Sequence, residues 1–157
     1  MNTPCLDLEM PGGVLKTYTD LVLDFSGTLS LDGVLLPGVA DRLARIASTL
    51  RITVLTADTF GKAAGQLKDL PVQVEIIATG ADKADALKKM TSETVIAIGN
   101  GRNDVPMMER AGLSIAVIGP EGAACQLLRA ADIVVRDTLE ALDLVTHPLR
   151  LKATLRD

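Results

Sequence analysis

Apolar residues along the chain gather into short runs: VLKTY (14–18), LVLDF (21–25), ITVLT (52–56), VEIIA (74–78), VIAIG (95–99), SIAVI (114–118) and IVV (133–135). Most of these runs have the length and the Val/Ile content of strands buried on both faces. Between them, residues 38–50, 59–69, 81–91, 103–111, 121–130 and 137–145 carry apolar positions at helical spacing. Strand and helix in alternation predict βαβ units, and therefore an α/β fold with a mainly parallel sheet flanked by helices. The start departs from this rhythm. MPGGV (10–14) reads as a turn, so the first residues predict a β-hairpin or an added edge strand. No linker, repeat or low-complexity stretch intervenes, which predicts a single domain over residues 1–157. The tail LRLKATLRD (149–157) reads either as a short helix set on a partner subunit or as an end that frays.

Composition narrows the partners. The 157 residues are 48% hydrophobic but only 2% aromatic, so the core must be aliphatic, as suits helices packed on a buried parallel sheet. A net charge of −4 with no long basic run argues against nucleic acid and favours small diffusible ligands. The longest apolar runs fall well short of the roughly 20 residues that cross a bilayer, and no signal-peptide pattern opens the chain. A cytoplasmic protein without membrane contact is the expectation. Cys5 and Cys125 lie far apart and match no metal-ligand spacing, so they read as a reduced pair.

In open α/β sheets ligands collect beyond the carboxyl ends of the strands, where helix N-termini and loop amides converge. The predicted strands bring to that edge Asp24 with Ser26, Gly27 and Thr28, then Thr56 with Asp58, then Lys83, then GNGRND (99–104). Each signal alone has a plainer reading: Asp24 as a turn cap, Thr56 as a strand-end hydroxyl, Lys83 as a solvated helix charge, Asn-Gly as a turn. Their occurrence together, in chain order, points to chemistry. Gly27 and Thr28 predict a tight reversal with free amides, suited to a phosphoryl group. GNGRND is not a dinucleotide fingerprint, since it lacks the third glycine and does not follow the first strand.

This set resembles the haloacid dehalogenase-like (HAD) phosphohydrolases, and within them the phosphorylation domain of P-type ATPases. DFSGTLS (24–30) is similar to the ATPase DKTGTLT, LTADTFGKAA (55–64) to LTGDN and its continuation, and GNGRNDVPMM (99–108) to GDGVNDAPAL. DKADALKKM (82–90) supplies the lysine motif through Lys83. The resemblance implies a Rossmann-like domain, Mg²⁺ as cofactor and an aspartyl-phosphate mechanism. Asp24 would be the nucleophile and Lys83 its neutralising partner, while Thr56 with the amides around Gly27, Thr28 and Ala57 would hold the phosphate. Asp24, the Ser26 carbonyl, Asn100 and Asp104 would hold the metal, with Asn103 orienting the loop or touching the metal's water shell. Charge alone requires such a neighbourhood, because a carboxylate attacks an anionic phosphate only when cations cancel the repulsion.

Two positions depart from the family pattern. Ser26 stands where most family phosphatases have an Asp acid/base, which predicts slow turnover; P-type ATPases have Thr there and form a long-lived aspartyl phosphate. Asn100 stands where the motif has Asp, which predicts weaker metal binding. Only about 32 residues separate Asp24 from Thr56, so SLDGVLLPGV (30–39) has room for a small flap turning at Gly33 but not for a large cap domain. An open site implies a homo-oligomer that covers it, or a large substrate; the expected partner is a small phosphorylated metabolite or a phosphoprotein. A phosphate-sensing module with a degenerate site is the alternative. A receiver-type signalling domain also uses Asp, Thr and Lys on successive strand ends, but needs in addition an acidic pair on an earlier strand. His147 lies outside the motifs and reads as a surface or interface residue.

Overall fold

The computed structural model describes residues 4–156. In chain order the elements are β1 (Leu6–Glu9), β2 (Leu15–Tyr18), β3 (Asp20–Leu23), β4 (Ser30–Leu31), β5 (Val34–Leu35), α1 (Val39–Ile46), β6 (Arg51–Thr56), α2 (Ala63–Leu67) and β7 (Gln73–Ile76). They continue with α3 (Gly80–Lys88), β8 (Val95–Gly99), α4 (Val105–Arg110), β9 (Leu113–Val117), α5 (Cys125–Ala130), β10 (Ile133–Val135), α6 (Thr138–Thr146) and α7 (Pro148–Leu155). Six strands form one parallel sheet in the order β10-β9-β8-β3-β6-β7. This is the parallel α/β arrangement expected from the alternation of runs, and of the Rossmann-like kind that the resemblance implies; among the described residues no large cap interrupts it.

The period-2 geometry of a strand explains the two core layers. Leu21 and Leu23 of β3, Ile96 and Ile98 of β8, and Ile115 and Val117 of β9 face one side, against Leu43 of α1, Leu67 of α2, Leu142 of α6 and Leu151 of α7. Val22, Ala97 and Ala116, the intervening residues, face the other side with Leu87 of α3, Met107 of α4 and Leu127 of α5. Central strands thus have no solvent face, and their sequences are apolar without alternation.

Two expected strands differ in setting. VLKTY supplies β2, which pairs antiparallel with β1 outside the main sheet and exposes Leu15 through Thr17. VEIIA supplies β7, an edge strand paired only with β6, where Ile76 is 58% exposed. The helices at 59–69 and 121–130 begin late, at Ala63 and Cys125, because residues ahead of them hold left-handed backbone: Asp58 at φ 51° and Gly61 at 64°, then Gly119 at 46° and Gly122 at 79°. β4 and β5 form the flap, a hairpin closed by Asp32 and Gly33 at φ 51° and 78°. Among the described residues no helix is long and apolar enough to cross a membrane.

Candidate active site

β3 lies between β6 and β8, so the residues that follow these three strands meet at the middle of one sheet edge. A cavity of about 200 Å³ opens there, lined by Asp24 and Ser26 after β3, Thr56, Ala57 and Thr59 at the end of β6, and Asn100, Gly101 and Asn103 after β8. A larger cleft of about 380 Å³ lies at the opposite end of β6 and β7, walled by Leu50, Leu70 and Val72 with Arg51 at its side. It contains no carboxylate or nucleophile, so the smaller cavity is the candidate for chemistry.

Lys83 reaches Asp24 from α3. Thr79 caps that helix through a reciprocal pair, its hydroxyl accepting from the Asp82 amide at 3.2 Å and Asp82 Oδ2 accepting from the Thr79 amide at 2.9 Å. Gly80 lets the first turn of α3 press against the 102–104 turn, since a Cβ there would stand 2.5 Å from the Asn103 carbonyl oxygen. Lys83 Nζ then donates to Asp24 Oδ1 at 2.7 Å and to Asp104 Oδ1 at 2.6 Å, with all three groups buried. Three separated segments converge on one ammonium.

Asp104 sits differently from the metal ligand expected. Its Oδ1 faces Lys83, its Oδ2 accepts from the Asn100 and Gly101 amides at 3.1 and 2.9 Å, and it is fully buried behind the cavity wall. Its placement is that of a group that fixes Lys83 and shapes the 100–103 turn. Asn100 and Asn103, by contrast, line the cavity.

Gly27 and Thr28 also act otherwise than as free amide donors. The Gly27 amide donates to Ser30 O at 3.1 Å and the Thr28 amide to Phe25 O at 3.2 Å, so both close the turn instead of facing a ligand. The buried Thr28 hydroxyl lies 3.2 Å from both Asp24 Oδ2 and Asn100 Oδ1 and ties the two together. Gly27, at φ +77°, leaves space for Asn100, because a Cβ would fall 2.4 Å from Asn100 Nδ2. Thr56 Oγ1 accepts from the Asp58 amide at 2.9 Å, which leaves its own O–H to donate toward the cavity. Thr59 and Gly101 line the cavity without having stood out in the sequence; their proximity to Thr56 and Asn100 was the available signal.

Two buried carboxylates face one buried ammonium, so the site is short of positive charge. Burial, and then the Asp104 charge, push the Asp24 carboxyl from about 3.8 up to about 7 against the opposing pull of Lys83. Burial works against the Lys83 charge, but the two carboxylates outweigh it and raise its pKa. The donors around the cavity are hard oxygens, those of Asp24, Ser26 and Asn100, which suit a divalent cation such as Mg²⁺. Among the described residues no three His, Cys, Asp or Glu side chains gather, so such a cation would rest on Asp24 and neutral oxygens.

This charge deficit has a measurable effect on folding. Asp24 titrates near 3.8 unfolded and about 7 folded, so the native state holds the extra proton in between and stability falls as pH rises through that interval. In metal-free buffer, Asp24→Asn is expected to raise the unfolding free energy by about 2 kcal/mol at pH 8 and by almost nothing at pH 4. Urea unfolding at the two pH values checks this, and an equal effect at both would rule out the buried-charge explanation.

Comparison with known proteins adds four likenesses. A family model described as haloacid dehalogenase-like hydrolase matches residues 51–141, a stretch that holds Thr56, Lys83, Asn100 and Asp104 and begins after Asp24. An uncharacterized protein of Methanocaldococcus jannaschii is 49% identical over 70 residues, 45% of this chain and 75% of that protein. The cobalt-bound deoxy-D-mannose-octulosonate 8-phosphate phosphatase of Haemophilus influenzae shares the fold with a TM-score of 0.70 at 17% identity, over 87% of this chain and 91% of that one. A zinc-transporting PIB-type ATPase shares it with a TM-score of 0.63 at 23% identity, over 76% of this chain but only 20% of the ATPase.

Proposed function

Because the chain belongs to the haloacid dehalogenase-like hydrolase family, we propose that it is a Mg²⁺-dependent phosphohydrolase or phosphotransferase that works through an aspartyl phosphate on Asp24. The observation that carries this reading is the clamp of Asp24 and Asp104 on Lys83, with Asp24 itself lining the cavity. A carboxylate placed there, with a fixed ammonium 2.7 Å from one oxygen, is held ready for an electrophile that is itself anionic.

In the reaction, an Asp24 oxygen attacks phosphorus as the bond from phosphorus to the leaving oxygen breaks. Lys83 offsets charge on Asp24 and on the incoming phosphoryl group, and the Thr56 hydroxyl donates to a phosphoryl oxygen. Asp24, Ser26 and Asn100 would hold Mg²⁺, which supplies the positive charge that the site's own side chains leave lacking. Water then attacks the phosphorus of the aspartyl phosphate, releasing inorganic phosphate and restoring the Asp24 carboxylate; an alcohol in place of water makes the reaction a transfer. The leaving oxygen needs a proton in the first half and the water must lose one in the second. Ser26 serves both steps poorly. Slow turnover follows, on a small phosphorylated metabolite or a phosphoprotein, with a homo-oligomer as one way to cover the open mouth.

Ser26 also favours a second reading, a phosphate-sensing module that binds without efficient turnover. One experiment separates the two. Incubation with Mg²⁺ and acetyl phosphate or p-nitrophenyl phosphate is expected to release phosphate and to leave a hydroxylamine-sensitive phosphoenzyme that is absent from Asp24→Asn and lost in EDTA. The absence of both hydrolysis and phosphoenzyme, with no response to Mg²⁺ and beryllofluoride, would overturn the proposal. Background hydrolysis with a melting temperature raised by Mg²⁺ and beryllofluoride would select the sensing module.

A further inference from the structure

Asn100 makes one contact that the aspartate of the family motif could not make. Its Nδ2 donates to the Gly122 carbonyl at 2.9 Å, beside a backbone bond from the Ala124 amide to the Asn100 carbonyl at 2.9 Å that any residue here would make. Since Gly122 O only accepts, the amide orientation is fixed, and Oδ1 is turned toward Thr28 Oγ1, 3.2 Å away, on the Asp24 side. One side chain therefore presents an oxygen to the site and holds the 119–124 loop by its nitrogen. The loop lies against the nucleophile's own turn, because a Cβ on Gly119 would stand 3.0 Å from Gly27 O. From the same loop, Glu121 Oε2 accepts from the Asp32 amide at the tip of the flap at 3.3 Å.

We propose that Asn100 is a positioning residue that latches the 119–124 loop, and through Glu121 the flap, at the mouth of the site, giving up one negative charge at the cation position to do so. A carboxylate at position 100 would set an oxygen against the Gly122 carbonyl where Nδ2 now donates, which is repulsive. It would also add an anionic ligand beside Asp24, and affinity for hard divalent cations rises with ligand charge. Latch and cation charge thus compete for one side chain. The part of this inference that concerns the cation rests on the proposed function; the latch itself stands without it.

Two variants test both parts. Asn100→Asp and Asn100→Ala each remove the donor, so hydrogen exchange of the metal-free protein over residues 119–124 is expected to rise roughly tenfold in both. Mg²⁺ binding, read by calorimetry with the metal alone, is expected to move in opposite directions, about tenfold tighter in Asn100→Asp and weaker in Asn100→Ala. Glu121→Ala should free only the flap, speeding exchange around Asp32 and leaving 119–124 protected. Unchanged exchange over 119–124 in both Asn100 variants overturns the latch. Faster exchange with Mg²⁺ affinity moving the same way in both leaves Asn100 a merely structural residue and overturns the competition. Absence of phosphoenzyme in the native chain would strike the proposed function while the exchange result still decided the latch.

Discussion

Ser26→Asp is expected to raise steady-state phosphatase turnover by about 10²- to 10⁴-fold, the usual worth of a positioned general acid/base. Ser26 lines the cavity beside Asp24, and its hydroxyl is buried without a hydrogen-bond partner, so replacing it by a carboxyl group displaces no bond that the fold needs. Protonated, it would supply the leaving oxygen; ionised, it would draw the proton from the attacking water. A hydroxyl does neither at neutral pH. The gain should fall on the second half-reaction above all, so the phosphoenzyme's half-life should shorten as turnover rises. The same substitution adds a carboxylate beside Asp24 in a site already short of positive charge, and the metal-free variant should therefore melt at a lower temperature than the native chain. Turnover and phosphoenzyme lifetime that match the native values would mean that proton transfer is not what limits this site, and the slow-enzyme explanation based on Ser26 would fall.

The positions of Asp24, Thr56, Lys83 and Asn100 at one sheet edge were legible because a parallel sheet sends every strand's carboxyl end the same way, so chain order alone gathers them. The flap was legible for a local reason, the Asp32-Gly33 pair between short apolar stretches. What the sequence did not display is the direction of groups within a turn. Gly27 and Thr28 suggested free amides, yet the reversal they form is closed by those same amides on Ser30 O and Phe25 O. Asp104 follows Gly101 by three residues, the spacing at which a carboxylate folds back on the amides that begin a turn, and this local bond competes with metal ligation. The partner of Asn100 is a backbone carbonyl at Gly122, which carries no side-chain signature at all. Residue types mark which strand ends bear chemistry; hydrogen-bond accounting within the loops decides which atoms face the ligand.

Lys83→Met should abolish phosphoenzyme formation and lower stability by about 3–5 kcal/mol at pH 8, the effect of stripping the counter-charge from a buried ion pair. Methionine nearly matches the length of the lysine stem, so packing around α3 is largely kept and the change is one of charge. Lys83 is 1% exposed and bonds two carboxylates that are themselves buried, and without it each must either keep an uncompensated charge away from water or take up a proton. A protonated Asp24 is no nucleophile, so the loss of stability and the loss of chemistry share one cause. That common cause is testable by adding Asp104→Asn. If the damage is electrostatic, the double variant should be more stable than Lys83→Met alone, because one of the two stranded charges has gone, and the two substitutions will be non-additive. A cavity or packing defect predicts the reverse, with the second substitution adding its own destabilisation. Urea unfolding of the native chain, both single variants and the double variant at pH 8 separates the two, and plain additivity would show that the Lys83–Asp104 contact does not hold the site's floor together.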